Sequence, residues 1–212
     1  IGPNKDTDNM YNDFLSCAKT FFPIGDYITI NISSPNTEGL RNFHEKDNLE
    51  KLLIKINEIR KESNFKKSFL LKISPDLDDS SINNIVDLSL KNNINGIILT
   101  NTSDKNRDKL IDNQKNEKGG LSGQPIKDLS TKIIKKFYKK LNGKIPIIGV
   151  GGVDSGEAAF EKIAAGASAI QLYTGMIYKG PMIVKEIKKG LIVKLNEKGF
   201  KNISQAVGSN SN

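Results

Sequence analysis

The sequence has little of the side-chain chemistry on which many enzyme classes depend. Its 212 residues include one cysteine, one histidine and no tryptophan. The single Cys17 excludes a disulfide within the chain and a thiolate cluster for zinc or iron–sulfur. His44 lies in a polar run, so we expect it at the surface, and its isolation argues against Ser–His and Cys–His mechanisms. No metal site is predicted.

Long apolar runs are also missing. No stretch of 18 or more apolar residues occurs, so the sequence predicts no membrane span. The start of the chain, Ile1-Gly2-Pro3-Asn4, has no charged-then-apolar leader and does not resemble a signal peptide. We expect a chain cut into from upstream. An apolar share of 37% and a charged share of 26% fit a soluble globular domain.

The net charge of +8 allows a nucleic-acid or anionic-surface partner, but its pattern favours a simpler interpretation. The lysines of segment 132–140 fall at helical positions where they would line a solvated face. We therefore predict no nucleic-acid partner. The basic amphipathic stretch 184–200 could touch a membrane surface, although an outer helix packed on a sheet predicts the same pattern and is preferred.

Short apolar, β-branched runs alternate with longer helical patterns along the chain. The predicted strands are 27–32, 69–73, 96–100, 146–150 and 169–172. The predicted helices are 9–21, 48–61, 81–91, 129–141, 156–165 and 181–198. This alternation predicts an α/β fold with a parallel sheet. The polar segment 103–127 is too long for an ordinary connection.

Two parallel architectures remain, an open doubly wound sheet and a (β/α)8 TIM barrel. Every predicted strand ends in unusual polar or glycine-rich chemistry. A barrel draws its site from many strand ends, whereas an open sheet concentrates its site at one switch point. The barrel is therefore favoured. The five predicted strands correspond to about five βα units. Since a full barrel has eight units and roughly 250 residues, we expect the N-terminal strands to be missing.

Two glycine-rich segments follow the last two strands and predict a phosphate-bearing cofactor. Glycine lets backbone N–H groups approach a phosphate, as in 149–152, and barrels often place such a site on their last two loops, here 149–152 and 173–175. The alternative is that these glycines only make tight turns. Lys72 is expensive to bury unpaired inside an apolar strand. It would need an anionic partner such as a reduced flavin, unless it snorkels at an edge.

Asparagine and serine mark the remaining strand ends. Asn31, Asn36, Asn101 and Thr102 offer the donors and acceptors that a flat, amide-rich ring requires, although asparagine is also common in turns. Ser34 has no histidine to activate it. A serine of this kind is usually a polar loop residue, and acts as a base only where the site relays its proton away.

Six ordered motifs resemble the dihydroorotate dehydrogenases over essentially the whole chain. The first and most specific is Asn31-Ile32-Ser33-Ser34-Pro35-Asn36-Thr37, continuing to Arg41. The others are 72–77, 100–102, 119–123, 147–152 and 171–174. Class 1 members carry Cys as the base and class 2 members carry Ser, so Ser34 resembles the quinone-reducing class 2 enzymes.

The resemblance implies an FMN-binding (β/α)8 barrel over residues 1–212 that oxidises (S)-dihydroorotate to orotate in de novo pyrimidine biosynthesis. Ser34 would be the catalytic base. The implied substrate-binding residues are Asn31, Asn36, Asn101 and Thr102. The implied FMN-binding residues are Asn31, Lys72, Thr100, Gly123, Gly152, Tyr173 and Thr174. A quinone would be the final electron acceptor.

The family's upstream helices would bind the bacterial inner membrane or the mitochondrial inner membrane, and the enzyme would be a monomer. Two alternatives stay open at this point. One is another FMN-dependent barrel oxidoreductase acting on a dihydropyrimidine, against which serine in place of cysteine argues. The other is an inactive fragment.

Overall fold

A five-stranded parallel sheet forms the centre of the computed structural model, which describes residues 1–105 and 107–211. The strands follow one another in chain order, each hydrogen-bonded to the next. Their bounds are Tyr27–Asn31 (β1), Ser68–Ile73 (β2), Gly96–Leu99 (β3), Ile147–Val150 (β4) and Ala169–Gln171 (β5). Within the described residues the order never reverses, so this sheet lacks the switch point of a doubly wound fold. The predicted barrel-type arrangement is confirmed.

Helices separate the strands and also follow β5. Their bounds are Met10–Phe21 (α1), Lys46–Glu62 (α2), Asp79–Lys91 (α3), Lys127–Leu141 (α4), Gly156–Ala164 (α5), Thr174–Lys179 (α6), Ile183–Glu197 (α7) and Ile203–Ala206 (α8). Short 3-10 helices span Leu40–His44 and Gln124–Ile126. All six predicted helices are confirmed. The sequence did not predict α6 and α8, because six and four residues are too few for a helical period to appear.

Polar side chains set where several helices begin. Asn9 accepts a hydrogen bond from the Asn12 amide ahead of α1, and Asp78 does the same for Ser81 ahead of α3. Ser155 caps α5 in the same way. Each cap satisfies one backbone N–H that the first helical turn leaves without a partner. The chain therefore leaves each strand and enters its helix at a defined residue, which fixes the geometry of the strand-end loops.

The main core lies between the sheet and helices α1 to α4. Phe14, Leu53, Phe69 and Phe137 are all fully buried there. Every residue of β3 is buried, as expected for a strand covered on both faces. Ile183 and Ile187 of α7 belong to a smaller cluster with residues of α5. The expectation that the basic stretch forms a packed outer helix is confirmed.

Parallel strands bring all their carboxyl ends to one edge of the sheet. The register sets Asn31 beside Lys72 and Ile73 beside Leu99, and farther along Leu99 beside Gly149. At the outer edge of β1, the amide of Asn31 donates to the carbonyl of Ile1 at 2.9 Å. Among the described helices, none is long and apolar enough to cross a membrane.

Candidate functional site

A cavity of about 890 Å³ opens at the carboxyl ends of the strands. Its walls come from the ends of β2 to β5 and from the long segment between β3 and α4. Eight residues that the sequence predicted as site residues line it. They are Lys72, Thr100, Asn101, Thr102, Gly123, Gly152, Tyr173 and Thr174. The other three, Asn31, Ser34 and Asn36, lie outside this wall, on or just after the end of β1.

The end of β1 is joined to the cavity through Asn101. The Asn101 amide donates to Ser33 Oγ at 3.0 Å and to Asn31 Oδ1 at 3.4 Å. Ser33 is fully buried, and its hydroxyl donates to Asn31 Oδ1 at 2.7 Å. The two asparagines that the sequence singled out therefore meet in space. Ser33, which it did not single out, fixes their orientation.

Ser34 is half-buried in the turn that follows. Its Oγ accepts a hydrogen bond from the amide of Asn36 at 3.2 Å. A donated hydrogen bond stabilises negative charge on an oxygen, so this contact eases loss of the Ser34 hydroxyl proton. Asn36 itself is exposed. No histidine bonds to Ser34 among the described residues.

Lys72 stands beside Asn31 in the sheet register, at the end of β2. Burial holds the pKa of its ammonium below the ordinary value of 10.5, and no carboxylate among the described residues offsets that effect. The lysine lines the cavity, so it does not snorkel away from the site. A half-buried cation without a partner among the described residues is positioned to interact with an anion inside the cavity.

The phosphate-type features gather at the opposite end of the cavity. Gly152 has a φ of +68°, and a Cβ there would lie 2.5 Å from Lys127 Cβ, so only glycine fits without a shift. Thr174 Oγ1 donates to Ser122 Oγ at 2.9 Å, which ties the loop after β5 to the segment before α4. Among the described residues, the amides of Gly123, Gly152 and Thr174 donate to no backbone carbonyl. Three free N–H groups on one wall suit an anion.

The long segment between β3 and α4 belongs to the site, as predicted. An isolated antiparallel bridge between Ser103 and Leu121 closes it into a loop. The Arg107 guanidinium donates to the carbonyls of Lys115, Glu117 and Gly119 and holds the loop together. A Cβ at Gly120 would lie only 1.9 Å from Thr102 Oγ1. The loop therefore packs directly onto the predicted substrate-binding residue.

A partly buried ion pair links three of these loops, and the sequence did not reveal it. Arg41 Nη1 contacts Asp76 Oδ2 at 3.0 Å, while Arg41 Nη2 donates to the carbonyl of Thr102 at 2.9 Å and Nε to that of Ser33 at 3.3 Å. Asp76 also accepts from Ser103 Oγ at 2.6 Å. These contacts, which we call the Arg41–Asp76 clamp, connect the loops after β1, β2 and β3.

His44 is buried, so the expectation of a surface position is wrong. It is the last residue of the 3-10 helix Leu40–His44, which follows the loop that contains Ser34, and it is only 6% exposed. Its Nε2 has no hydrogen-bond partner among the described residues. Burial, reinforced by the nearby Arg41 charge, lowers the pKa of His44 from 6.5 to about 4. The neutral imidazole is therefore part of the packing. Among the described residues, no group of three or more His, Cys, Asp and Glu could bind a metal.

Acid is expected to destabilise the fold through His44. As pH falls below 6.5 the unfolded chain binds the proton and the folded chain does not, until pH reaches about 4. The loss over this window is about 3 kcal/mol. Urea unfolding between pH 7 and pH 5 measures most of it with little interference from carboxylates. The variant His44→Gln should lose the slope, and a slope equal to that of the parent would contradict the assignment.

Comparison with known proteins gives a consistent result. The dihydroorotate dehydrogenase family model matches residues 1–195. A dihydroorotate dehydrogenase (quinone) of Synechocystis is 43% identical over 208 residues, covering 95% of this chain and 54% of that protein. The mitochondrial dihydroorotate dehydrogenase (quinone) of Mus musculus is 40% identical over 210 residues, covering 98% and 53%.

A solved structure agrees with these sequence matches. The DHODH of Eimeria tenella in complex with ferulenol superposes with a TM-score of 0.93 at 36% identity, covering 99% of this chain and 60% of that one. This likeness confirms the predicted barrel fold. The chain spans about half the length of the curated relatives it matches.

Proposed function

The chain belongs to the dihydroorotate dehydrogenase family, and from this premise we propose that it oxidises (S)-dihydroorotate to orotate, with FMN as the first electron acceptor and a quinone as the final one. The observation that carries the proposal is the single cavity wall on which Lys72, Asn101 and Thr174 meet. This reaction would serve de novo pyrimidine biosynthesis.

The residues of the cavity fit FMN. Thr100 is buried at the end of β3, and its Oγ1 has no partner among the described residues. Lys72 of the neighbouring strand β2 lines the same cavity and offers an ammonium without a partner carboxylate among the described residues. Thr100 and Lys72 would contact the flavin ring. The free amides of Gly123, Gly152 and Thr174 would bind the phosphate together with the Tyr173 backbone.

FMN, when bound, supplies an acceptor for the hydride that leaves C6 of dihydroorotate. The chain's own residues would bind the substrate, orient it and move its proton. Asn31, Asn101, Asn36 and Thr102 would hold the pyrimidine through donors and acceptors that match its amide and imide edges. Asn31 would reach both ligands, since it stands beside Lys72 and bonds to Asn101. Fixing the ring in this way converts the proton and hydride transfers into steps within one complex.

Ser34 Oγ would take the proton from C5, and its own hydroxyl proton would pass to solvent, which reaches this half-buried turn. The Asn36 amide that donates to Ser34 Oγ would stabilise the oxygen as negative charge develops on it. Lys72 would balance the charge that accumulates in the flavin ring, and it is already desolvated for that purpose. The serine also supports the quinone acceptor, because it is the residue that distinguishes the class 2 enzymes the chain resembles.

The names of the relatives support the same acceptor, since both the Synechocystis and the Mus musculus proteins are quinone enzymes. A quinone is membrane-soluble, so we propose that the protein works at a membrane surface, at the bacterial or the mitochondrial inner membrane. We propose a monomer, in which residues 1–212 are part of one FMN-binding barrel domain.

The proposal predicts a specific redox cycle. Protein expressed at the full length that its gene encodes should be yellow. Anaerobic addition of dihydroorotate should bleach the flavin absorbance, and a soluble ubiquinone analogue should restore it. Dihydrouracil is the matched control, because it lacks the carboxylate of dihydroorotate and should leave the flavin oxidised. Bleaching by dihydrouracil but not by dihydroorotate would favour another FMN-dependent oxidoreductase, and absence of bound flavin would contradict the proposal.

A further inference from the structure

Lys162 of α5 is a fully buried lysine outside the cavity wall. Its ammonium donates to Ser130 Oγ, to Thr131 Oγ1 at 3.0 Å and to the carbonyl of Lys127 at 3.3 Å. All three acceptors are neutral oxygens. The hydrogen bonds are satisfied, but no carboxylate among the described residues contacts the charge. Burial lowers the pKa of Lys162 to about 8, so the side chain is still mostly charged at pH 7.

This charge lies directly behind the glycine-rich loop that follows β4. Ser130 Oγ, which accepts from Lys162, lies 3.2 Å from the carbonyl of Gly151 and 3.1 Å from that of Lys127, and its single proton is shared between these two acceptors. Lys127 packs under Gly152 so closely that a Cβ there would come within 2.5 Å. One layer of side chains therefore separates the Lys162 ammonium from the backbone of residues 151–152. That backbone lines the cavity on its other side.

The surroundings of Lys162 offset the cost of burying its charge only in part. Helix α4 begins at Lys127, so its first turn adds the positive end of a helix dipole beside the ammonium. The closest acidic side chain on α5, Glu161, forms its ion pair with Lys127 at 3.0 Å instead. For packing alone, an apolar side chain of similar volume would serve equally well or better. Glu161 and Asp128, in the first turn of α4, favour the Lys162 charge without contacting it, but burial outweighs them, and negative charge on the cavity side of the loop would stabilise the ammonium further.

We propose that Lys162 is a positioning residue for the cofactor phosphate, acting through Ser130 on the Gly151–Gly152 loop and through its charge across that loop. The inference rests on the proposed use of FMN. The lysine touches no ligand itself. It holds the loop in the conformation that presents free amides, and it raises the electrostatic potential where the phosphate would bind.

Comparison of FMN with riboflavin tests this role, because riboflavin has the same ring and lacks the phosphate. The protein is expressed at the full length that its gene encodes and is freed of bound flavin. It is then titrated with FMN or with riboflavin, and the quenching of flavin fluorescence gives each dissociation constant. We expect Lys162→Met to weaken FMN binding on the order of tenfold and to leave riboflavin binding unchanged. Lys136→Met is the matched control. It removes the same charge from α4 at a partly exposed ion pair with Asp79, and both flavins should bind as before.

The outcomes separate the inference from the proposed function. Equal weakening of FMN and riboflavin in Lys162→Met would overturn the positioning role and leave the proposed function intact. Failure of the unmodified protein to bind either flavin would overturn both. Should Lys162→Met not fold by circular dichroism, Lys162→Gln replaces it, since glutamine keeps hydrogen bonding to Ser130 without the charge. Selective loss of FMN affinity in that variant would support the inference, and unchanged selectivity would overturn it.

Discussion

Replacing Ser34 by alanine is expected to slow reduction of bound FMN by dihydroorotate by a factor on the order of 10² to 10⁴, the usual contribution of a positioned general base. Ser34 Oγ accepts the Asn36 backbone amide at 3.2 Å, and of the two neighbouring serines only Ser33 is engaged by asparagine side chains among the described residues. Stopped-flow bleaching of the flavin under anaerobic conditions isolates this step from quinone reduction.

The binding of orotate, the product, separates chemistry from recognition. The alanine variant should bind orotate as tightly as the parent, because Asn31 and Asn101 are oriented by Ser33 and not by Ser34. Orotate affinity can be followed by the perturbation of the flavin spectrum. A variant that loses rate and orotate affinity in parallel would show that Ser34 only shapes the pocket.

Ser34→Cys is the matched replacement, since it keeps a small side chain that can accept a proton. Thiolate is the basic form, so its rate of flavin reduction should rise with pH toward a plateau near the ordinary cysteine pKa of about 8.5. The parent should not show that profile. Wild-type rates in Ser34→Ala, or a cysteine variant as slow as alanine at every pH, would refute the role of base.

The fold was predictable because its signals are local and agree with one another. The apolar run that became β3 and the cap at Asp78 ahead of α3 each specify one element without reference to distant residues. The carboxyl-end side chains were also predictable, since parallel strands necessarily bring Lys72, Thr100 and Thr174 to one edge. The alternation of strands and helices was therefore sufficient to predict which residues lie at the cavity.

What could not be predicted depends on distant pairs and on burial. Arg41 and Asp76 are 35 residues apart, and Lys162 and Ser130 are 32 apart, so neither pairing has a local signal. Lysines at helical spacing were expected on solvated faces, which holds for Lys139 and fails for Lys162. His44 has polar neighbours in sequence, but the 3-10 helix turns its side chain inward. Contacts between distant segments, and not the local sequence, determine where the side chains of Arg41, Lys162 and His44 lie.

The Arg41–Asp76 clamp provides the second large expected effect. We expect Asp76→Ala to lower the free energy of unfolding by about 2 kcal/mol, because it removes the buried carboxylate that accepts several hydrogen bonds in a partly buried ion pair. The Asp76 side chain is only 4% exposed, and its loss also leaves Ser103 Oγ and the Asp104 amide without their acceptor. Equilibrium urea unfolding of the protein, expressed at the full length that its gene encodes, measures the change in the free energy of unfolding.

Asp104→Ala is the matched control, because Asp104 contacts the same Nη1 atom of Arg41. The distances are almost equal, 2.9 Å for Asp104 and 3.0 Å for Asp76, but the Asp104 side chain is 52% exposed. An exposed ion pair contributes roughly 0 to 1 kcal/mol, so the control should stay close to the parent. The difference between the two variants isolates burial from charge, since both remove one carboxylate from one guanidinium. Equal losses of unfolding free energy in the two variants would mean that the clamp stabilises the loops by charge alone. A loss below about 1 kcal/mol in Asp76→Ala would mean that the three strand-end loops do not depend on the clamp.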